Sequence, residues 1–131
     1  MSSHFSGHDA CLAAPALRIF TNIARAWSLT DWEQSEILGQ PVSDAFALLT
    51  TGVVDDRWPE TLERLSYVIG IYAALHTVFR DQQQADGWIR RPNQAPLFGG
   101  APALSLMRCG RIEGLASVRK YLEHRDFYDD C

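Results

Sequence analysis

Residues 88–110, WIRRPNQAPLFGGAPALSLMRCG, constrain the fold of this chain more than any other stretch. Pro92, Pro96 and Pro102 each remove a backbone donor and push the preceding residue out of the helical region, so the stretch cannot form one helix. Trp88, Ile89, Leu97, Phe98, Leu104, Leu106 and Met107 carry too much apolar surface for an unfolded linker. The stretch therefore reads as an ordered loop that delivers one helix against another. Ordered loops of this kind hold binding residues more often than the elements they join.

The flanking sequence reads as helix throughout. Pro15 is expected to open a helix over residues 15–27, with Leu17, Phe20, Ile23, Ala24 and Trp27 on its buried stripe. Thr30, with Glu33 three residues on, forms a capping box for a helix over 31–38, and Gly39 closes it. Ser43 is expected to cap a third helix that ends before Gly52. The longest helix is predicted over 59–81, with Leu62, Leu65, Ile69, Tyr72, His76 and Phe79 along one face. Val68, Ile71, Leu75 and Val78 widen that stripe, which implies burial on more than one side. Gly70 within it fits a close helix crossing, and His76 reads as a packed, hydrogen-bonded side chain. Shorter helices follow at 82–90, 103–109 and 112–124, the last with Leu115, Val118, Tyr121 and Leu122 at core spacing. No segment alternates with period two over strand length, so the fold class is all-α.

The predicted organisation is a flexible N-terminus (1–14), a helix-turn-helix-like three-helix unit (15–57), a second helical module (58–125) and an acidic tail (126–131). A chain of 131 residues with 47% hydrophobic and 21% charged side chains has the make-up of a soluble globule. No apolar run approaches the roughly 20 residues that span a bilayer, and MSSHFSGHDACLAAPALR lacks the basic opening of a secretory signal. A cytoplasmic protein with no membrane association is the expectation. Cys11, Cys109 and Cys131 are too widely spaced for a disulfide framework or a zinc ribbon. His4, His8 and Cys11 share a helical spacing, but Gly7 and the nearby terminus favour a frayed tail over a metal site. The chain has no H-E-x-x-H, phosphate loop or G-x-S-x-G, and Gly99-Gly100 lacks the context of a nucleotide fingerprint. Neither an enzyme nor a cofactor is expected.

Charge divides the chain. Residues 1–56 carry two arginines against seven acids, residues 57–125 carry ten cations against six acids, and Asp126, Asp129 and Asp130 follow. Two short helices joined by a glycine turn resemble a helix-turn-helix. Ser43, Thr50 and Thr51 are the candidate DNA-binding residues of its second helix. Between Arg25 and Arg57, however, there is no Lys or Arg. Neutralised phosphates supply most of the affinity for DNA, so binding is expected to be weak or to rely on Arg18, Arg25, Arg57 or an assembled oligomer.

Three segments carry a family resemblance: ETLERLSYVIGIYAALHTVFRD, ADGWIRRPNQAPLFGGAPALSLMRCG and GLASVRKYLEH. Together they resemble the toxin-binding domain of the Xre/MbcA/ParS antitoxins over residues 60–124. The resemblance implies the antitoxin half of a type II toxin–antitoxin pair. Its partner would be a RES-domain toxin, an enzyme that consumes NAD, whose active site the antitoxin covers. The antitoxin would be a homodimer that represses its own operon. Family members often carry an Arg-Trp pair near the end of the second helix-turn-helix helix, where this chain has Leu48-Leu49. The alternatives are a DNA-binding transcriptional regulator of the same architecture without a toxin partner, and a helical scaffold for another protein.

Candidate toxin-binding residues are Arg90, Arg91, Asn93 and Arg108 around the loop, its Gly99-Gly100 turn, and Arg119 on the last helix. Trp88 and Phe98 serve either as aromatic anchors or as the module's own core. An NAD-binding pocket must hold a pyrophosphate and is expected to be basic. The tail residues Asp126, Tyr128, Asp129 and Asp130 could enter it as a nucleotide mimic.

Overall fold

The computed structural model describes the backbone over residues 7–125 and the side chains over 13–124. Within that span the chain is all-α: α1 (Gly7–Ala26), α2 (Asp31–Leu38), α3 (Val42–Thr51), α4 (Trp58–Val78), α5 (Gln82–Gly87), α6 (Ala103–Met107) and α7 (Ile112–Arg125). A 3₁₀ turn, Trp88–Arg90, continues α5, so the helix expected over 82–90 changes pitch after Gly87. Among the described residues the only β-pairing is an isolated bridge between Pro92 and Pro102. No helix there is long and apolar enough to cross a membrane. The residues His4, His8 and Cys11 and the tail 126–131 lie outside the described side chains.

Several helix ends differ from those expected, α6 among them, which stops at Met107 rather than at Cys109. The first helix begins at Gly7, and Pro15 lies inside it rather than opening it. Ala13 is fully buried one turn before Leu17, so the apolar stripe runs back through the proline. The cap of α3 is Pro41, not Ser43, because the Pro41 carbonyl accepts the first helical bond from the Ala45 N–H at 2.9 Å. Ser43 therefore sits within the first turn. The long helix stops at Val78 instead of Asp81, since Asp81 caps α5 through its carboxylate and the Gln83 N–H.

α2 forms as its sequence signals dictate. The Thr30 hydroxyl accepts from the Glu33 N–H at 3.1 Å, and Glu33 accepts from the Thr30 N–H at 3.0 Å. Gly39 ends the helix at φ +72°, a left-handed conformation that favours glycine.

The chain divides into two compact units, with the division between Ser66 and Tyr67 inside α4. In the first unit α1, α2 and α3 enclose Phe20, Trp27, Ile37, Leu38 and Leu48, all buried. The opening turns of α4 join this core through Trp58, Thr61 and Leu65. Two polar contacts tie them in. Gln40 donates to the Thr61 hydroxyl at 2.9 Å. Arg64, only 5% exposed, donates to the Ile37 carbonyl at 3.3 Å and pairs with Glu60 at 2.9 Å. Its guanidinium thereby satisfies an end carbonyl of α2, which would otherwise lack an intrahelical donor.

In the second unit, Val68, Ile71 and Leu75 of α4 are buried, as are Ile89, Met107, Leu115, Val118 and Leu122. Each such aliphatic side chain contributes about 1.5–3 kcal/mol by leaving water. The helices α6 and α7 pack closely because Gly114 has no side chain. A Cβ there would meet the Leu106 carbonyl oxygen and, at 2.8 Å, the Cys109 Sγ. Gly70 does the same for α4: the Arg119 Nε lies 2.7 Å from where its Cβ would stand. The expected close crossing at Gly70 is therefore occupied by an arginine side chain from α7.

Candidate functional site

The loop between the 3₁₀ turn and α6 is closed on itself by backbone bonds. The Asn93 N–H donates to the Ala101 carbonyl at 3.2 Å, and the Asn93 carbonyl accepts from Gly100 at 2.8 Å. Further in, the Ala95 carbonyl accepts from Phe98 at 2.9 Å and from Gly99 at 3.0 Å. The Asn93 side chain accepts from the Ala95 N–H at 2.9 Å, a local turn that asparagine forms readily. Gly99 and Gly100 adopt φ +58° and +94°, which the reversal at the loop tip requires. Asn93, Gly99 and Gly100 are thus brought together, and their polar backbone groups hold the loop's shape.

An aromatic cluster supports the loop from beneath. Trp88 and Phe98 meet edge to face at 5.8 Å between ring centroids, and each contacts Tyr121 of α7, at 6.2 and 5.1 Å. Trp88 and Phe98 are each 8% exposed, so of the two roles open to them the structure shows the packing one. Tyr121 was legible only as a core position of the last helix. Its part in fixing the loop depends on a contact across 33 residues, which helical periodicity cannot reveal.

The cations sit around this platform in different settings. Arg90 and Arg91 are exposed at the loop's entrance. Arg91 donates to the Gln84 carbonyl at 3.1 Å and lies over the Phe79 ring at 5.9 Å. Arg108 is half-buried at the end of α6, where its N–H donates to the Leu104 carbonyl at 2.9 Å. Arg119 lies over Gly70 and donates to Glu123 at 2.9 Å, so its guanidinium is held along α7. Leu97, 42% exposed, is an apolar side chain at the loop surface that the sequence reading did not single out as a contact. A hydrophobic residue left exposed between a proline and a buried phenylalanine was the available signal.

A second polar cluster stands on α4. His76 Nε2 lies 2.9 Å from an Asp86 carboxylate oxygen, and the Tyr72 ring sits 4.2 Å from the imidazole. His76 is thus packed and hydrogen-bonded, as its position on the apolar face implied. Burial, reinforced by the Asp86 charge, pushes the Tyr72 phenol above its ordinary value of 10.0.

The three candidate DNA-binding residues lie on α3 and are exposed. The Thr50 hydroxyl donates to the Phe46 carbonyl at 2.8 Å and the Thr51 hydroxyl to the Ala47 carbonyl at 2.7 Å, so both hydrogens turn into the helix. Arg57 forms ion pairs with Asp44 at 3.1 Å and Asp55 at 2.8 Å. Its hydrogen bond holds the Asp55 carboxyl below the usual carboxylate value. Among the described residues, no group of three or more His, Cys, Asp or Glu side chains could hold a metal ion.

Residues 74–127 match the family model of the antitoxin Xre/MbcA/ParS C-terminal toxin-binding domain. The chain is also similar to the uncharacterized protein y4oB of Sinorhizobium fredii (strain NBRC 101917 / NGR234). The two are 34% identical over 123 residues, which cover 88% of this chain and 87% of that protein. The matched segment begins in the second half of α4 and takes in the loop, the aromatic cluster and α7.

Proposed function

The chain belongs to the Xre/MbcA/ParS antitoxin family, and from that premise we propose that it binds and inhibits a RES-domain toxin that consumes NAD. It acts as an inhibitor in the cytoplasm rather than as an enzyme. The observation that carries this reading is the loop itself. Its backbone is locked by internal hydrogen bonds while Leu97, Arg90 and Arg91 face outward. A preorganised surface loses little conformational entropy on binding, and arginine beside an apolar side chain is a common interface pairing. Trp88, Asn93, Phe98, Gly99 and Gly100 contribute by holding this surface in shape. The tail residues Asp126, Tyr128, Asp129 and Asp130 supply acidic and aromatic side chains suited to a basic nucleotide pocket. Homodimerisation and repression of its own operon complete the proposal.

Whether the neighbouring reading frame encodes a RES-domain protein is the first test; co-expression with such a protein, followed by co-purification and an NAD-consumption assay, is the second. The expected result is a stable complex with suppressed NAD loss. Leu97→Asp together with Arg91→Glu should weaken the complex by about a hundredfold or more, the scale of lost hot-spot residues. A full-strength complex with the doubly substituted chain would move the toxin contact elsewhere.

The second reading, a regulator whose main ligand is DNA, is favoured by the exposure of Ser43, Thr50 and Thr51 on α3. An electrophoretic shift with the protein's own promoter addresses it, and tight binding by the isolated chain would support it.

A further inference from the structure

The first unit presents a face built from α1 and α3 that its own core does not cover. Phe46, in the middle of α3, is 65% exposed. It forms one wall of a groove of about 220 Å³, lined also by Val42, Ala45 and Leu49, with Asp31 at its edge. A second groove, of about 450 Å³, runs beside it and is lined by Leu17, Arg18 and Arg25 of α1. The two grooves share Thr21, Leu49 and Thr50, which form the ridge between them. One face therefore carries an apolar knob, an apolar hole beside it, an acidic end and a basic end.

We infer that this face is where a second copy of the chain docks. The inference rests on the homodimer included in the proposed function and names the surface that forms it. A two-fold axis brings the same patch of each copy together, so the patch must complement itself. An axis through the Thr21, Leu49 and Thr50 ridge lays the acidic end of one copy on the basic end of the other. Asp31 then faces Arg18 and Arg25 of the second copy, and each Phe46, which lines the same groove as Asp31, enters the larger groove of the other copy beside Leu17. Nucleic acid fits the face less well. A phosphate backbone following α3 would pass Asp31, the Thr50 and Thr51 hydrogens are turned into the helix, and Arg57 is held by Asp44 and Asp55.

Sedimentation equilibrium of the full chain measures the result directly. The wild-type chain should sediment at twice its 14.7 kDa mass. Phe46→Glu should stay folded, because the ring is mostly in solvent, and should raise the dimer dissociation constant by about thirtyfold or more, a hot-spot loss. Asp31→Lys alone and Arg18→Glu with Arg25→Glu should each weaken the dimer, and the three substitutions combined should restore it. Restoration by charge exchange cannot arise from unfolding or from lost DNA contacts. A dimer that survives Phe46→Glu overturns this surface while leaving homodimerisation intact. A wild-type chain that stays monomeric at high concentration removes homodimerisation itself. Loss of promoter binding in Phe46→Glu with the dimer unchanged would show that the face reads DNA instead.

Discussion

At the scale of single residues, two glycines with the same conformation separate two effects. Gly39 and Gly52 both end helices at φ +72°. A Cβ at Gly52 would meet no atom within 4 Å, whereas one at Gly39 would stand 2.6 Å from the Arg64 Cζ. Gly52→Ala should therefore show only left-handed strain, about 1–2 kcal/mol. Gly39→Ala should cost more, because it also displaces a buried guanidinium from the Ile37 carbonyl and Glu60. Urea unfolding of the two variants measures the difference, and equal losses would mean that Arg64 moves aside without penalty. Tyr72 offers a titration at the same scale. Its phenol is raised first by burial and then by the Asp86 charge. A raised folded value means that the stabilisation is complete below the unfolded value and is lost as pH climbs through the folded one. Asp86→Asn should lower the Tyr72 midpoint, seen by carbon-13 NMR of the phenol, but leave it above that of a free tyrosine.

At the scale of elements, local signals and distant contacts divide what the sequence makes legible. α2 is bounded as its sequence indicates, because Thr30, Glu33 and Gly39 act within one turn of the ends they define. Replacing Thr30 by Ala should cost about 1 kcal/mol by thermal or chemical unfolding, the usual loss of an N-cap. The start of α1 is less legible, because the helix continues before Pro15 and buries Ala13 one turn ahead of Leu17. The end of α4 also escapes local reading, since Asp81 serves the next helix. In the candidate site, the proline and glycine pattern marks the loop, but the Pro92–Pro102 bridge and the Tyr121 contacts span ten and more residues. The role of Arg64 is equally hidden, since its carbonyl partner lies 27 positions away. The approach of α6 to α7 yields the sharpest test. Gly114→Ala would drive a methyl group into the Leu106 carbonyl, a backbone atom that cannot swing away. Overpacking of this kind costs about 1–3 kcal/mol, and calorimetry should show it as a lowered unfolding temperature.

At the scale of the whole molecule, charge divides the sequence into two parts of opposite sign. The seven acids and two arginines of residues 1–56 leave that part acidic, while residues 57–125 are basic. A basic module suits the flanks of an acidic partner surface, yet the chain continues into Asp126, Asp129 and Asp130 around Phe127 and Tyr128. These residues lie outside the described structure, and their proposed role follows from composition and from the partner's chemistry. A RES-domain toxin must bind the pyrophosphate of NAD, which calls for cations in its pocket. A short segment with three carboxylates and two aromatic rings offers such a pocket both charge and stacking groups. If the tail occupies it, deletion of residues 126–131 should abolish inhibition of NAD consumption while the loop still supports co-purification. High salt should mimic part of that loss, because exposed charge pairs are screened. Unchanged inhibition by the shortened chain would assign the blockade of the toxin to the loop surface alone, with Arg90, Arg91 and Leu97 covering the pocket's mouth.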